Sequence, residues 1–85
     1  MPEICRFMGA IILMYVNDHE PPHFHVRYNE FTASVDIATG GITKGNLPPR
    51  VAGMVVEWTF IHKAELLKNW ELIRNHKPFK KIKPL

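Results

Sequence analysis

The sequence predicts an α+β domain, a small antiparallel sheet of three to four strands followed by one long or two short C-terminal helices packed on one face. Three observations carry this reading. Residues 23–28 and 31–38 alternate apolar and polar side chains with a period of two, the mark of half-buried strands. Residues 50–75 carry apolar side chains at three- and four-residue steps, the mark of a helix with one buried stripe. The strands precede the helices, an order that favours a sheet with its helices on one side over alternating β-α-β units.

Residues 10–16 (Ala-Ile-Ile-Leu-Met-Tyr-Val) are apolar at every position and read as a central strand covered on both faces. Asn17-Asp18-His19-Glu20-Pro21-Pro22 reads as a loop, because prolines cannot join a hydrogen-bonded ladder. In 23–28, Phe24, Val26 and Tyr28 form one face and His23, His25 and Arg27 the other. In 31–38, Phe31, Ala33, Val35 and Ile37 oppose Thr32, Ser34, Asp36 and Ala38. Gly40-Gly41 punctuates, and Ile42–Lys44 adds a short fourth strand. Asn46-Leu47-Pro48-Pro49 suits a helix start, since proline is tolerated in a first turn. Val51, Met54, Val55, Trp58, Ile61, His62, Leu66, Trp70 and Ile73 then form the stripe, with a break expected near His62–Ala64. Residues 1–75 are expected to form the domain and 76–85 a basic tail that docks by Phe79 and Ile82, on its own body or on a second chain.

Composition narrows the function classes. At 85 residues the chain suits one domain of modest stability, so a metal, a homodimer partner or another protein is a natural source of support. Cys5 is the only cysteine, which excludes an internal disulfide and suits a reducing cytoplasm. No apolar run is long enough to span a membrane, and the polar Asn17–Glu20 after the first apolar run does not resemble a signal-peptide cleavage site. The net charge of +3 is concentrated at the end: Arg74, Lys77, Lys80, Lys81 and Lys83 have no acidic neighbour beyond residue 73, and residues 1–73 sum to −2. Lys80, Lys81 and Lys83 can attract RNA or an acidic partner surface. No phosphate loop, dinucleotide fingerprint, nucleophile elbow, paired-cysteine zinc motif or His-Glu-x-x-His is present.

The chemistry concentrates in residues 17–27. His19, His23 and His25 fall within seven residues beside Asp18 and Glu20. His-x-His on a strand places two imidazoles on one face about 6–7 Å apart at Cα, a spacing that serves a divalent transition metal with a third ligand from the preceding loop. The metal reading takes His19, His23 and His25 as ligands. The same groups can instead serve acid–base catalysis. A two-residue turn at Asn29-Glu30 sets Tyr28 opposite Phe31, and counting back pairs His25 with Ser34 and His23 with Asp36. In that register apolar meets apolar and polar meets polar, and a slip of one residue destroys the match. The polar face then carries His23, His25, Arg27 and Asp36 as candidate catalytic groups, with Asp36 placed to fix a histidine tautomer. Asn17, Asp18 and Ser34 are candidate binding groups. His62, on the helical stripe, reads as a core histidine with one hydrogen bond, and Trp58 and Trp70 as core anchors.

These residues also carry a resemblance. Met14-Tyr15-Val16-Asn17-Asp18-His19-Glu20-Pro21-Pro22-His23-Phe24-His25-Val26 resembles a small bacterial family known only as a domain of unknown function, as do Leu47–Arg50, Glu57-Trp58, His62, Asn69-Trp70 and the closing Lys81–Leu85. Members are often encoded beside a second small protein, in pairs that resemble toxin–antitoxin modules. The resemblance implies the toxin-like place, with the cognate neighbour as partner, and the His/Asp/Arg surface and basic tail add RNA as an expected substrate. Two other expectations stand beside it: a metal-binding domain, and a non-enzymatic protein-interaction module.

Overall fold

The computed structural model describes residues 2–85. Five strands form one antiparallel sheet in sequence order: β1 (Glu3–Phe7), β2 (Ala10–Leu13), β3 (His23–Tyr28), β4 (Phe31–Asp36) and β5 (Ile42–Gly45). Two helices follow, α1 (Pro49–Ile61) and α2 (Lys63–Arg74). The class is the expected α+β, but the sheet has five strands where three or four were expected. The additional strand is β1. Its apolar residues Ile4, Cys5 and Phe7 do not alternate, because the β1–β2 register shifts between Glu3 and Cys5. A tight turn at Met8-Gly9, both at positive φ, returns the chain into β2. β2 lies between β1 and β3, so the centre of the sheet is β3, and β2 itself ends at Leu13 rather than Val16.

The β3–β4 hairpin has the register that side-chain alternation demands: Tyr28 opposite Phe31, His25 opposite Ser34, His23 opposite Asp36. Asn29 takes the left-handed conformation in the turn, which asparagine tolerates better than most residues. Phe24, Val26, Ala33 and Val35 point to the buried face, where Trp58 of α1 meets both Phe24 and Phe7 with ring centroids 5.7 and 5.5 Å away. Leu66, Trp70 and Ile73 of α2 join the same core. Phe31 is half-buried against it. The helices separate at His62, within the expected break. Ile61, expected on the buried stripe, is exposed, because the stripe of α1 ends at Trp58 and Thr59.

The basic tail lies on its own body. Ile82 is buried in the core, and its N–H donates to the carbonyl of Ile4 at 2.9 Å, covering the outer edge of β1. Trp58 Nε1 donates to the Lys83 carbonyl at 2.9 Å. Asn69, itself buried, grips Lys80 twice: its Nδ2 donates to the Lys80 carbonyl at 2.7 Å and its Oδ1 accepts from the Lys80 N–H at 2.9 Å. Phe79 packs half-buried against the core. The lysine side chains of the tail remain exposed.

Candidate metal-binding site

All the helical mass lies on one face, so the opposite face of the sheet is open. Partners in the ladder share a face, and the open one is therefore laid out in rungs. Ile11, Arg27 and Thr32 form one rung, Leu13, His25, Ser34 and Lys44 the next, and His23 and Asp36 a third. The loop 14–22 folds back over the third rung. The Asp18 N–H bonds to the Tyr15 carbonyl at 3.3 Å, and the Ile37 N–H to the Pro22 carbonyl at 3.2 Å. An ion pair between Glu20 and Arg74 at the end of α2 holds the loop from outside, and the Glu20–Pro21 peptide bond is cis.

This loop brings Asp18 against both strand histidines. Asp18 Oδ2 lies 2.9 Å from His25 Nε2 and 3.5 Å from His23 Nε2. One ligand atom from each residue lies within 4.8 Å of the other two, and among the described residues no other group of three His, Cys, Asp or Glu side chains converges so closely. A tetrahedral ion with ligands at about 2.1 Å spaces them about 3.4 Å apart, so small side-chain adjustments suffice to seat one. The three side chains are about one-fifth to one-quarter exposed, shielded without being sealed.

The outer nitrogens decide the tautomers. His23 Nδ1 lies 2.9 Å from the Pro21 carbonyl, which can only accept, so Nδ1 carries a proton. In the neutral ring, Nε2 then presents a lone pair toward the Asp18 carboxylate. His25 Nδ1 lies 3.4 Å from the Ser34 hydroxyl, which can donate or accept. The rings of His23 and His25 stand edge to face at 5.2 Å, with Tyr15 against His25 and Trp70 against His23.

A family model described as a domain of unknown function (DUF4160) matches residues 9–71. The chain belongs to this family. The match spans β2 to β5, α1 and most of α2, and so contains Asp18, His23 and His25. Comparison with curated proteins and with solved structures gave no match.

The remaining candidates of this DUF4160 domain fall into two groups. Ser34 and Arg27 share the open face with the cluster. Asp36 stands opposite His23, as the register requires, but its Oδ1 accepts from the Ala38 N–H at 2.8 Å, and the Pro21 carbonyl, not Asp36, orients His23. His19 and Asn17 are exposed, and His19 is not part of the convergent cluster. The loop turns Asp18 inward and His19 outward, whereas the metal reading takes His19 as the loop ligand. Lys80, Lys81 and Lys83 lie on the tail, which packs along the helices and the outer edge of β1. His62 belongs to a separate contact, its Nδ1 2.6 Å from Glu65 and its ring against Trp58.

Lys44, which alternation in so short a strand could not place, joins the rung of His25 and Ser34 through the β4–β5 pairing. Two hollows on this face, of about 280 and 470 Å³, share His25, Ser34 and Lys44 in their walls.

Proposed function

We propose that the protein binds one divalent transition metal, zinc or iron(II), through Asp18, His23 and His25. The observation that carries this is the meeting of two imidazole Nε2 atoms on a single carboxylate oxygen, at 2.9 and 3.5 Å, with the His23 tautomer already set by a backbone carbonyl. A neutral His23 Nε2 beside a carboxylate oxygen favours a cation between them, and with His25 in the tautomer that donates from Nδ1 to Ser34 the two histidines and one carboxylate match the donor preferences of these metals. Three protein ligands would leave a coordination position free, as in catalytic rather than structural centres. A metal held by these residues would supply Lewis-acid chemistry, activating water or polarising an oxyanion.

Metal analysis of the purified protein and calorimetric titration with Zn²⁺ and Fe²⁺ test the proposal. About one equivalent should bind. Asp18→Ala, His23→Ala and His25→Ala should each weaken binding at least about tenfold, the usual effect of losing a ligand or its support, and His19→Ala should not. A protein that takes up no metal, or whose affinity depends on His19 and not on Asp18, overturns it.

A second reading is favoured by the 2.9 Å contact between His25 and Asp18, which orients an imidazole for acid–base chemistry without metal. It accords with the toxin-like place in a gene pair and with RNA as substrate. Regulated expression in bacteria tests it: growth arrest relieved by His25→Ala and unaffected by metal depletion supports it, and unimpaired growth refutes it.

A further inference from the structure

We propose that the hollow beside the metal site is an anion subsite for a phosphate ester, formed by Arg27, Ser34 and Lys44. This deepens the metal-binding reading and rests on it for the position of the anion. The ladder fixes the layout. His25, Ser34 and Lys44 are consecutive partners across β3, β4 and β5. With strands about 4.8 Å apart, the Cα of Lys44 stands about 10 Å from that of His25, with the Ser34 hydroxyl between them. Arg27 lies two residues along β3, about 7 Å from His25 and on the same face. Both side chains line the same hollow as Ser34, and each is long and flexible enough to meet an anion there.

The charges on this face are divided. Asp18, Glu20 and Asp36 surround the histidine end, Arg27 lies at the other, and Lys44 lines both hollows between them. The acids have partners within the protein: Asp18 with the histidines, Glu20 with Arg74, Asp36 with the Ala38 N–H. Arg27 and Lys44 form no ion pair among the described residues, although each lines the hollow of about 280 Å³ together with Ser34 and His25. Two unpaired cations and a hydroxyl next to free coordination positions form a complementary cradle for a tetrahedral dianion or diester. The guanidinium fork, the ammonium and the hydroxyl would donate to its oxygens, and one oxygen would remain for a metal held by Asp18, His23 and His25. A carboxylate has only two oxygens to share among these four partners. The adjoining hollow of about 470 Å³, beyond the histidines, provides space for the rest of the esterified molecule.

The test measures binding of inorganic phosphate, a nucleoside 5′-monophosphate and a short single-stranded RNA to the full chain, with and without Zn²⁺. The variants are Arg27→Ala, Lys44→Ala, their double, and a control double, Arg50→Ala with Lys68→Ala, which removes the same charges from exposed positions on the helices. Phosphate should bind the zinc-loaded protein. Each single variant should lose about tenfold, the equivalent of 1.4 kcal/mol, the double variant more, and the control less than twofold. Zinc content should stay the same in all of them. RNA binding more tightly than the monophosphate makes nucleic acid the source of the ester, and equal binding makes it a small phosphorylated molecule. Both outcomes support the subsite. An unchanged phosphate affinity in the double variant, or an equal loss in the control, overturns it. If no zinc binds but phosphate affinity still depends on Arg27 and Lys44, the metal reading fails and the anion subsite stands.

Discussion

Asn69→Ala measures how much the domain depends on its own C-terminal segment. The Asn69 side chain is almost fully buried, and both its polar atoms are used on the backbone of Lys80, at 2.7 and 2.9 Å. Alanine removes two hydrogen bonds, each worth about 1 kcal/mol net, and leaves the Lys80 N–H and C=O in a partly buried place with reduced access to water. The sum is about 2–4 kcal/mol. At about 0.05–0.15 kcal/mol per residue, an 85-residue domain has only some 4–13 kcal/mol in total. Urea denaturation followed by tryptophan fluorescence is a suitable assay, because Trp58 and Trp70 are both buried and Trp58 bonds to the same segment. The midpoint should fall while the slope with urea stays the same, the signature of lost stability rather than altered compactness. Limited trypsin digestion gives an independent readout: cleavage after Lys80 and Lys81 should accelerate under native conditions, whereas Lys77 and Lys83, each followed by proline, resist trypsin in any state. A loss below about 0.5 kcal/mol, with tail cleavage at the wild-type rate, refutes the view that Asn69 clamps the tail.

Three further expectations rest on single contacts. Trp58→Ala removes the side chain that meets Phe7 and Phe24 and should cost about 3–5 kcal/mol in the same urea assay, enough to unfold much of the population. Gly45→Ala should be strongly destabilising: Gly45 sits at φ +75, and an added Cβ would fall 2.1 Å from the Thr32 carbonyl oxygen, so β5 must shift and carry Lys44 with it, visible as reduced hydrogen-exchange protection in 42–45. Burial pushes the Cys5 thiol above its ordinary range, so less of the reactive thiolate is present at any pH near neutral. Alkylation by iodoacetamide should therefore be slow in the native state and become fast with the unfolding transition, and rapid labelling of the folded protein would contradict its placement in the core.

The β3–β4 hairpin was legible because two strands with opposite alternation fit each other in one register. Period two is a strong signal where one face is dry and the other wet. β1 was not, because its register shift sets two buried residues, Ile4 and Cys5, side by side. The shared face of His23 and His25 was legible from alternation, yet that Asp18 rather than His19 converges on them was not, because the conformation of loop 14–22 sets which of two adjacent side chains turns inward. Lys44 was missed for a related reason: β5 is exposed at every position, so its pattern carries no period, and only the pairing with β4 gives it a face. Phe79 and Ile82 announced a docked tail by their spacing. Asn69 gave no such signal, since an asparagine on a helix usually faces solvent, and its role depends on a backbone segment eleven residues away.

The strict parity of β3 has an evolutionary consequence. Phe24 and Val26 answer to the helices, while His23, His25 and Arg27 answer to whatever arrives at the open face, and the two sets interleave along six residues of one strand. A substitution at an odd position of this strand reaches the core only through the strand backbone or, at His23, through its ring contact with Trp70. Most changes of ligand or specificity can therefore be tried by mutation without drawing on the small stability reserve of the domain, and core changes can be repaired by repacking without altering the site. Drift in what such domains recognise, over an unchanged fold, is the pattern this arrangement permits.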